Sequence, residues 1–265
     1  MLRHSTFQIA IATLSLFLAT AARAQDTAPL RWCAYLTNGS VQKLASDPAA
    51  LEKAPELLKA LNISKVYLEF FRQTSVSNDD VKKVSGALAQ QGFEVAGGIA
   101  TLPGENYGVR EDAKLGWFNW QAQKTRDDVA KVMSTAAPLF SEIIVDDFFC
   151  TGDMSAESVA AKGELPWGDY RRALMVQAAQ QSIIVPAKSA NPSATLIMKF
   201  PQWYDRFHEF GYDVPAESAM FDRIWVGTET RGPDTARYGF TQPYQGFANL
   251  RWISSIAGHK TAGAW

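Results

Sequence analysis

The chain alternates between short, continuous apolar runs and longer stretches in which apolar residues return every three or four positions. The runs are RWCAYLTNG (31–39), KVYLEFFR (65–72), FEVAGGIATLP (93–103), SEIIVDDFF (141–149), ATLIMKFPQWY (194–204), FDRIWVGTET (221–230) and TAGAW (261–265). Runs apolar at nearly every position predict strands covered on both faces. The intervening stretches predict helices. The first spans 47–61, with Leu51, Leu57, Leu58 and Leu61 on one face and Pro55 as a break or a start. Others span 79–91, capped by Gly92, then 121–138, 169–191, a short one near 204–210, and 244–258, closed by Gly258. Asn38-Gly39 predicts a turn after the first strand, and Pro201 ends the fifth. Residues 151–168, rich in Gly, Ser, Ala and acidic side chains, predict a long loop or a loop with a short helix.

Strands alternating with helices predict an α/β fold built on a mostly parallel sheet. A βα barrel and an open doubly wound sheet both satisfy that order. No G-x-G-x-x-G follows the first strand and no G-K-[ST] loop occurs, so dinucleotide and P-loop sheets lose their usual support. Glu69, Asp146, Asp147, Lys199 and Glu229 all fall at C-terminal strand ends. In a barrel those ends converge on one mouth. The expectation is a (β/α)8 TIM barrel over residues 25–265, with seven strands present. GHKTAGAW is not a natural close for eight units. Either the final units are replaced or, the preferred reading, the barrel is truncated before its eighth strand.

The first residues carry Arg3 and His4, an apolar stretch from Ile9 to Ala19, and Ala22-Arg23-Ala24 as an A-x-A cleavage pattern. This predicts a secretory signal peptide over 1–24 and a secreted or periplasmic location, with an uncleaved anchor as the alternative. No later segment approaches the ~20 apolar residues of a membrane helix, so no stable insertion is expected after cleavage. Net charge is −1 with the two signs interspersed, which argues against nucleic acid as a partner. Cys33 and Cys150 belong to strands on nearly opposite sides of a barrel, and thiols rather than a disulfide are expected.

Strand alternation sorts the candidate chemistry. Tyr67 and Glu69 share one face, as do Ile197 and Lys199, and Trp225, Gly227 and Glu229. The less apolar set in each strand should face the interior, because the other must pack on helices. Ile144 pairs with Asp146 and Val145 with Asp147, but a bend at the strand end leaves both aspartates open. Two carboxylates at one mouth suit glycosidic chemistry, in which one donates a proton and the other stays ionised. Glu229 is the candidate acid; Asp146 and Asp147 share the other role, with preference for Asp146. Glu69 and Lys199 are candidates to hold the site or a sugar hydroxyl, against the plainer reading of an ion pair plugging the barrel. Flat rings cover sugar faces, which makes Trp225, Trp203 and Tyr35 candidate substrate contacts, with Trp117, Trp167 and Tyr204 behind them. Arg171 or Arg172 could pin a helix to the carboxylates of the loop after the fourth strand.

Other chemistries have less support. Asp146, Asp147 and Glu69 could ligate a hard cation, but the glycosidic reading calls for no metal and no cofactor. Only His208 and His259 lie beyond the leader, and no H-E-x-x-H pattern occurs, which disfavours zinc hydrolysis. Cys150 has no histidine near it in sequence.

The segments KVYLEFFR, IIVDDFFC, TLIMKFPQWYDRF, FDRIWVGTETRG and TAGAW resemble bacterial exported proteins assigned to the glycoside hydrolases. The resemblance runs from about Arg31 to Trp265 and operates at superfamily level. It implies a (β/α)8 barrel, a carbohydrate substrate and acidic residues on the fourth strand and beyond. Two rivals stand beside hydrolysis: a non-catalytic carbohydrate-binding barrel, and a metal-assisted ester or phosphodiester hydrolase.

Overall fold

The computed structural model describes residues 30–146, 148–229 and 242–265, so the leader expected over 1–24 and Asp147 lie outside the described residues. Eight strands follow one another along the chain: β1 (Trp32–Leu36), β2 (Ile63–Arg72), β3 (Thr74–Ser75), β4 (Glu94–Ala100), β5 (Glu142–Asp146), β6 (Thr195–Phe200), β7 (Arg223–Val226) and β8 (Thr261–Ala264). All but β3 pair in parallel in the order β1-β2-β4-β5-β6-β7-β8, and β3 folds back antiparallel on the end of β2. The seven parallel strands curl into an incomplete (β/α) barrel, the α/β class expected from the apolar runs.

Ten helices lie among the described residues: α1 (Asn38–Ser46), α2 (Pro48–Ala60), α3 (Asn78–Gln90), α4 (Gln123–Ala136), α5 (Ala156–Lys162), α6 (Trp167–Ala178), α7 (Val185–Ala190), α8 (Phe207–Phe210), α9 (Val214–Met220) and α10 (Pro243–Ala257). Local chemistry sets several starts. Asp47 accepts from the amides of Ala49 and Ala50, with Pro48 following it, so α2 begins there and Pro55 sits inside it. Ser77 caps α3, whose first turn carries Asp79 and Asp80. The expected turn at Asn38-Gly39 is instead the start of α1: the Thr37 hydroxyl accepts from the Ser40 amide, and the cap overrides the turn preference. The expected 169–191 helix is one rod in three parts, α6, a π segment (Ala179–Ile184) and α7. Pro186 lacks the N–H that would continue the ladder, and the register loosens ahead of it. The sequence does not predict helix α9; its three-residue lead-in GYD carries the Asp213 cap that fixes its start.

Two apolar layers result from the period-2 alternation. Leu68, Ile143, Val145, Met198, Ile224 and Val226 point outward into the layer beneath the helices. Tyr67, Ala96, Ile144, Ile197 and Trp225 form a separate interior cluster, with Cys33 and Tyr35 packed against it. Strand β2 departs from strict alternation. Its pairing with β4 jumps from Glu69↔Gly98 to Phe71↔Ile99, so Phe70 is an extra residue and both phenylalanines face outward. Two glycines make room inside: a Cβ on Gly98 would stand 2.6 Å from the Tyr35 ring, and one on Gly263 2.3 Å from the Trp225 ring.

The opposite end of the barrel is closed by charge. Glu142 is buried and receives Lys65 at 2.5 Å, the Tyr67 hydroxyl at 2.7 Å and Arg223 at 2.7 Å, while Lys65 also meets Glu94 at 2.7 Å. Burial and the Glu142 carboxylate push the Tyr67 phenol far up, so it remains a donor. The two cysteines are not joined. No helix among the described residues is long and apolar enough to cross a membrane.

Candidate active site

Strand ends β2, β5 and β6 and the segment just after β7 bring four of the predicted polar residues, Glu69, Asp146, Lys199 and Glu229, to one mouth; the fifth, Asp147, lies outside the described residues. Asp146, the last residue of β5, is in phase with interior Ile144 and is buried. Lys199, in phase with Ile197 on β6, places its ammonium 3.0 Å from Asp146 Oδ1 and 3.0 Å from Glu229 Oε1. Two 3.0 Å contacts to one atom hold those carboxylate oxygens within 6.0 Å of each other. The Asp146 side chain is 2% exposed and that of Glu229 26%, so one acid is enclosed and the other faces the opening.

Glu69 is fully buried and surrounded by donors. The Tyr35 hydroxyl donates to Oε1 at 2.9 Å, the Asn38 amide to Oε2 at 2.6 Å, and Arg72 reaches both oxygens at 2.9 and 3.0 Å. With those donors in place Glu69 has little left to offer a cation. Burial, reinforced by Asp146 and Glu69, pushes the Tyr35 phenol well above its ordinary value, so it stays protonated and donating. Among the described residues no group of three or more His, Cys, Asp or Glu could hold a metal ion.

The aromatic candidates divide. Tyr35 and Trp225 face the interior beside these carboxylates, and Trp225 meets Tyr67 edge-on at 5.4 Å. Trp203 instead packs in a wall of rings beside the mouth, stacked on Trp117 at 5.9 Å with Phe207, Phe210 and Tyr212 at its edges. Trp167 carries the Arg171 guanidinium over its ring at 4.6 Å, and exposed Tyr204 neighbours Trp252. Of the two arginines, Arg171 is the one that pins the loop after β5: it donates to the carbonyls of Gly152 at 2.9 Å, Asp153 at 3.2 Å and Glu209 at 2.6 Å. Arg172 pairs with Asp169 on its own helix.

Three site residues escaped the sequence. Arg72 and Asn38 surround Glu69, but a bulge and a helix start placed them there, and neither has a period-2 signature. Trp265 packs its ring 4.3 Å from the Lys199 ammonium and 5.0 Å from Tyr35. Alternation carried one step past Gly263 points to it, since Gly263 is paired with interior Trp225.

The family described as probable glycosyl hydrolase, catalytic domain, matches residues 19–265 of this chain. A curated, uncharacterised protein of Saccharolobus solfataricus is 27% identical over 253 residues, covering 87% of this chain. The chain spans 41% of that relative's length. Among solved structures, the C-terminal domain of a proposed chitinase from Desulfitobacterium hafniense aligns with a TM-score of 0.51 at 13% identity, over 88% of this chain and 65% of that one. The beta-glycosidase BGL167 aligns with a TM-score of 0.50 at 12% identity, over 84% of this chain and 66% of that one. At such identities the likeness speaks for the barrel alone.

Proposed function

We propose a reaction from one premise, that the chain belongs to the probable glycosyl hydrolase catalytic-domain family: a pair of carboxylates at the barrel mouth hydrolyses a glycosidic bond in an oligo- or polysaccharide. The observation that carries the assignment is the single buried ammonium of Lys199, 3.0 Å from both Asp146 and Glu229. Such a cation favours ionised Asp146, which the reaction needs as nucleophile. Glu229 is the more exposed of the pair. Facing the opening, it is the proposed donor to the leaving oxygen. The shared ammonium keeps one oxygen of each carboxylate within 6.0 Å of the other, which is compatible with the retaining arrangement, where carboxyl groups stand about 5–5.5 Å apart. Tyr35, whose one hydroxyl proton goes to Glu69, is the proposed acceptor from a sugar hydroxyl, and the rings of Trp225 and Trp265 supply the apolar wall.

The test is hydrolysis of a panel of oligosaccharides by the full chain and by its Asp146→Asn, Asp147→Asn and Glu229→Gln variants. Glu229→Gln should lose about 10²–10⁴-fold in kcat, the usual contribution of a general acid, with Asp146→Asn losing at least as much. Asp147→Asn should lose less than either. The anomer first released, read by proton NMR, should keep the configuration of the substrate. Binding without turnover by the unaltered protein would favour a carbohydrate-binding role, and loss of activity with a chelator would favour metal-assisted hydrolysis.

A further inference from the structure

Phe148 stands two residues past Asp146 with φ at +67°, in the left-handed region. For a bulky aromatic residue this is an unfavourable conformation that persists only where surroundings impose it. Three contacts surround it. The Cys150 amide donates back to the Phe148 carbonyl at 2.7 Å, closing a tight turn. The indole of Trp120 donates to the Cys150 carbonyl at 3.1 Å. The Phe148 ring lies nearly flat on Trp117, with centroids 5.6 Å apart and planes 21° apart.

Trp117 does more than cover one ring. It stacks on Trp203 at 5.9 Å and 15°, and Phe210 meets it edge-on at 5.0 Å. Trp117 comes from the segment after β4, Phe148 from the end of β5, and Trp203 from the segment after β6. The stack Phe148–Trp117–Trp203 therefore ties three successive loops of the mouth together. Its outer members follow closely after Asp146 and Lys199. The segment bearing Trp117 is itself a paired ribbon: the Glu111 amide donates to the Trp117 carbonyl at 2.9 Å and the Asn119 amide to Val109 at 2.8 Å. Trp117 is the buried middle plate of the stack.

We propose that Trp117 is a positioning residue, whose ring holds Phe148 in its left-handed conformation and so fixes the end of β5 that presents Asp146 to Lys199. The catalytic part of this inference rests on the glycosidase reading; the mechanical part does not. The stacking of two indoles and a phenyl ring supplies the attraction, and the strain at Phe148 is what it opposes. Glycine adopts positive φ without steric penalty, so Phe148→Gly removes the strain and the stack together.

The experiment is a double-mutant cycle in the full chain with Trp117→Ala, Phe148→Gly and both together, alongside Trp117→Phe. Three quantities are read: amide exchange over 148–152, thermal midpoint, and kcat and KM on a glycan that the unaltered protein cleaves. Trp117→Ala should speed exchange over 148–152 and lower kcat about tenfold with KM nearly unchanged, the size expected when strain is no longer opposed. Trp117→Phe, which keeps a ring to stack, should hold kcat within about threefold of the unaltered protein. Phe148→Gly should cost much less in the Trp117→Ala background than alone, because the conformation no longer needs the plate. Additive losses in exchange and thermal midpoint would overturn the proposal, as would Trp117→Phe behaving like Trp117→Ala. If the unaltered protein cleaves no glycan, the glycosidase reading fails. The exchange and stability cycle still decides whether Trp117 holds Phe148.

Discussion

At the scale of single residues, burial decides which acids act as acids. Glu217 in α9 is wholly buried, accepts only the Asp213 amide at 3.1 Å, and its Oε1 finds no donor among the described residues. Burial, with the Asp213 charge adding to it, holds its pKa well above the ordinary 4.5. A carboxyl whose folded pKa is raised stabilises the fold fully below the unfolded value, and that contribution is lost as pH rises through the folded pKa. Glu217→Gln should therefore raise the thermal midpoint at pH 8 and change it little at pH 4, read by calorimetry at both values. A larger gain at pH 4 would reverse the sign. Nothing in the sequence ESAM announces this burial, since a carboxylate four residues into a short helix reads as a solvated face. The opposite holds for Lys199. Alternation with Ile197 is enough to read the direction of Lys199, whereas for Asp146 a bend at the strand end leaves the choice open and only the structure shows it in phase with Ile144.

At the scale of elements, the apolar runs made every parallel strand legible, and several helix ends followed from a cap or a proline, though the Thr37 cap of α1 and the Asp213 cap of α9 went unread. What escaped was set by interactions between elements. The bulge at Phe70 depends on how β2 meets β4, and it brings Arg72 back to Glu69 in spite of the odd spacing. The fit of Tyr35 over Gly98 is of the same kind: one strand supplies a ring, and the paired strand beyond its neighbour supplies the space. Gly98→Ala would set a methyl group 2.6 Å from Cε2 and the hydroxyl of Tyr35. The ring must then shift, pulling the phenol off Glu69 at a cost of about 1–3 kcal/mol, the usual range for overpacking. Urea unfolding checks the stability loss. Loss of turnover beyond what stability explains would identify Tyr35 as the displaced group, with KM rising if its hydroxyl holds the sugar.

At the scale of the whole molecule, the barrel carries charge at both ends and apolar side chains between. The mouth holds Asp146, Lys199, Glu229 and the Glu69–Arg72 pair, while the far end is filled by Glu142 with Lys65 and Arg223. The polar residues at the mouth could be read from strand ends. Those at the far end could not, because Lys65 and Glu142 begin their runs and look like ordinary solvent-facing starts. Glu142→Ala leaves the buried Lys65 ammonium with only the half-exposed Glu94. A loss of about 3–5 kcal/mol is expected for breaking a buried pair, toward the lower end because Arg223 is half-exposed. Hydrolysis by the fraction that remains folded should be unchanged, since the interior cluster separates the two ends.

The sheet begins at β1 and finishes at β8, and one contact that crosses between those ends is Tyr35 against Trp265. Both rings also border the mouth: one donates to Glu69, the other shields the Lys199 ammonium. The jaw and the anvil are thus the same pair of side chains. On the glycosidase reading, a change in the coiling of the sheet would alter the aperture and the spacing of the mouth's side chains in a single movement, so a bulky ligand wedged between the two rims would retune the groups that hold it.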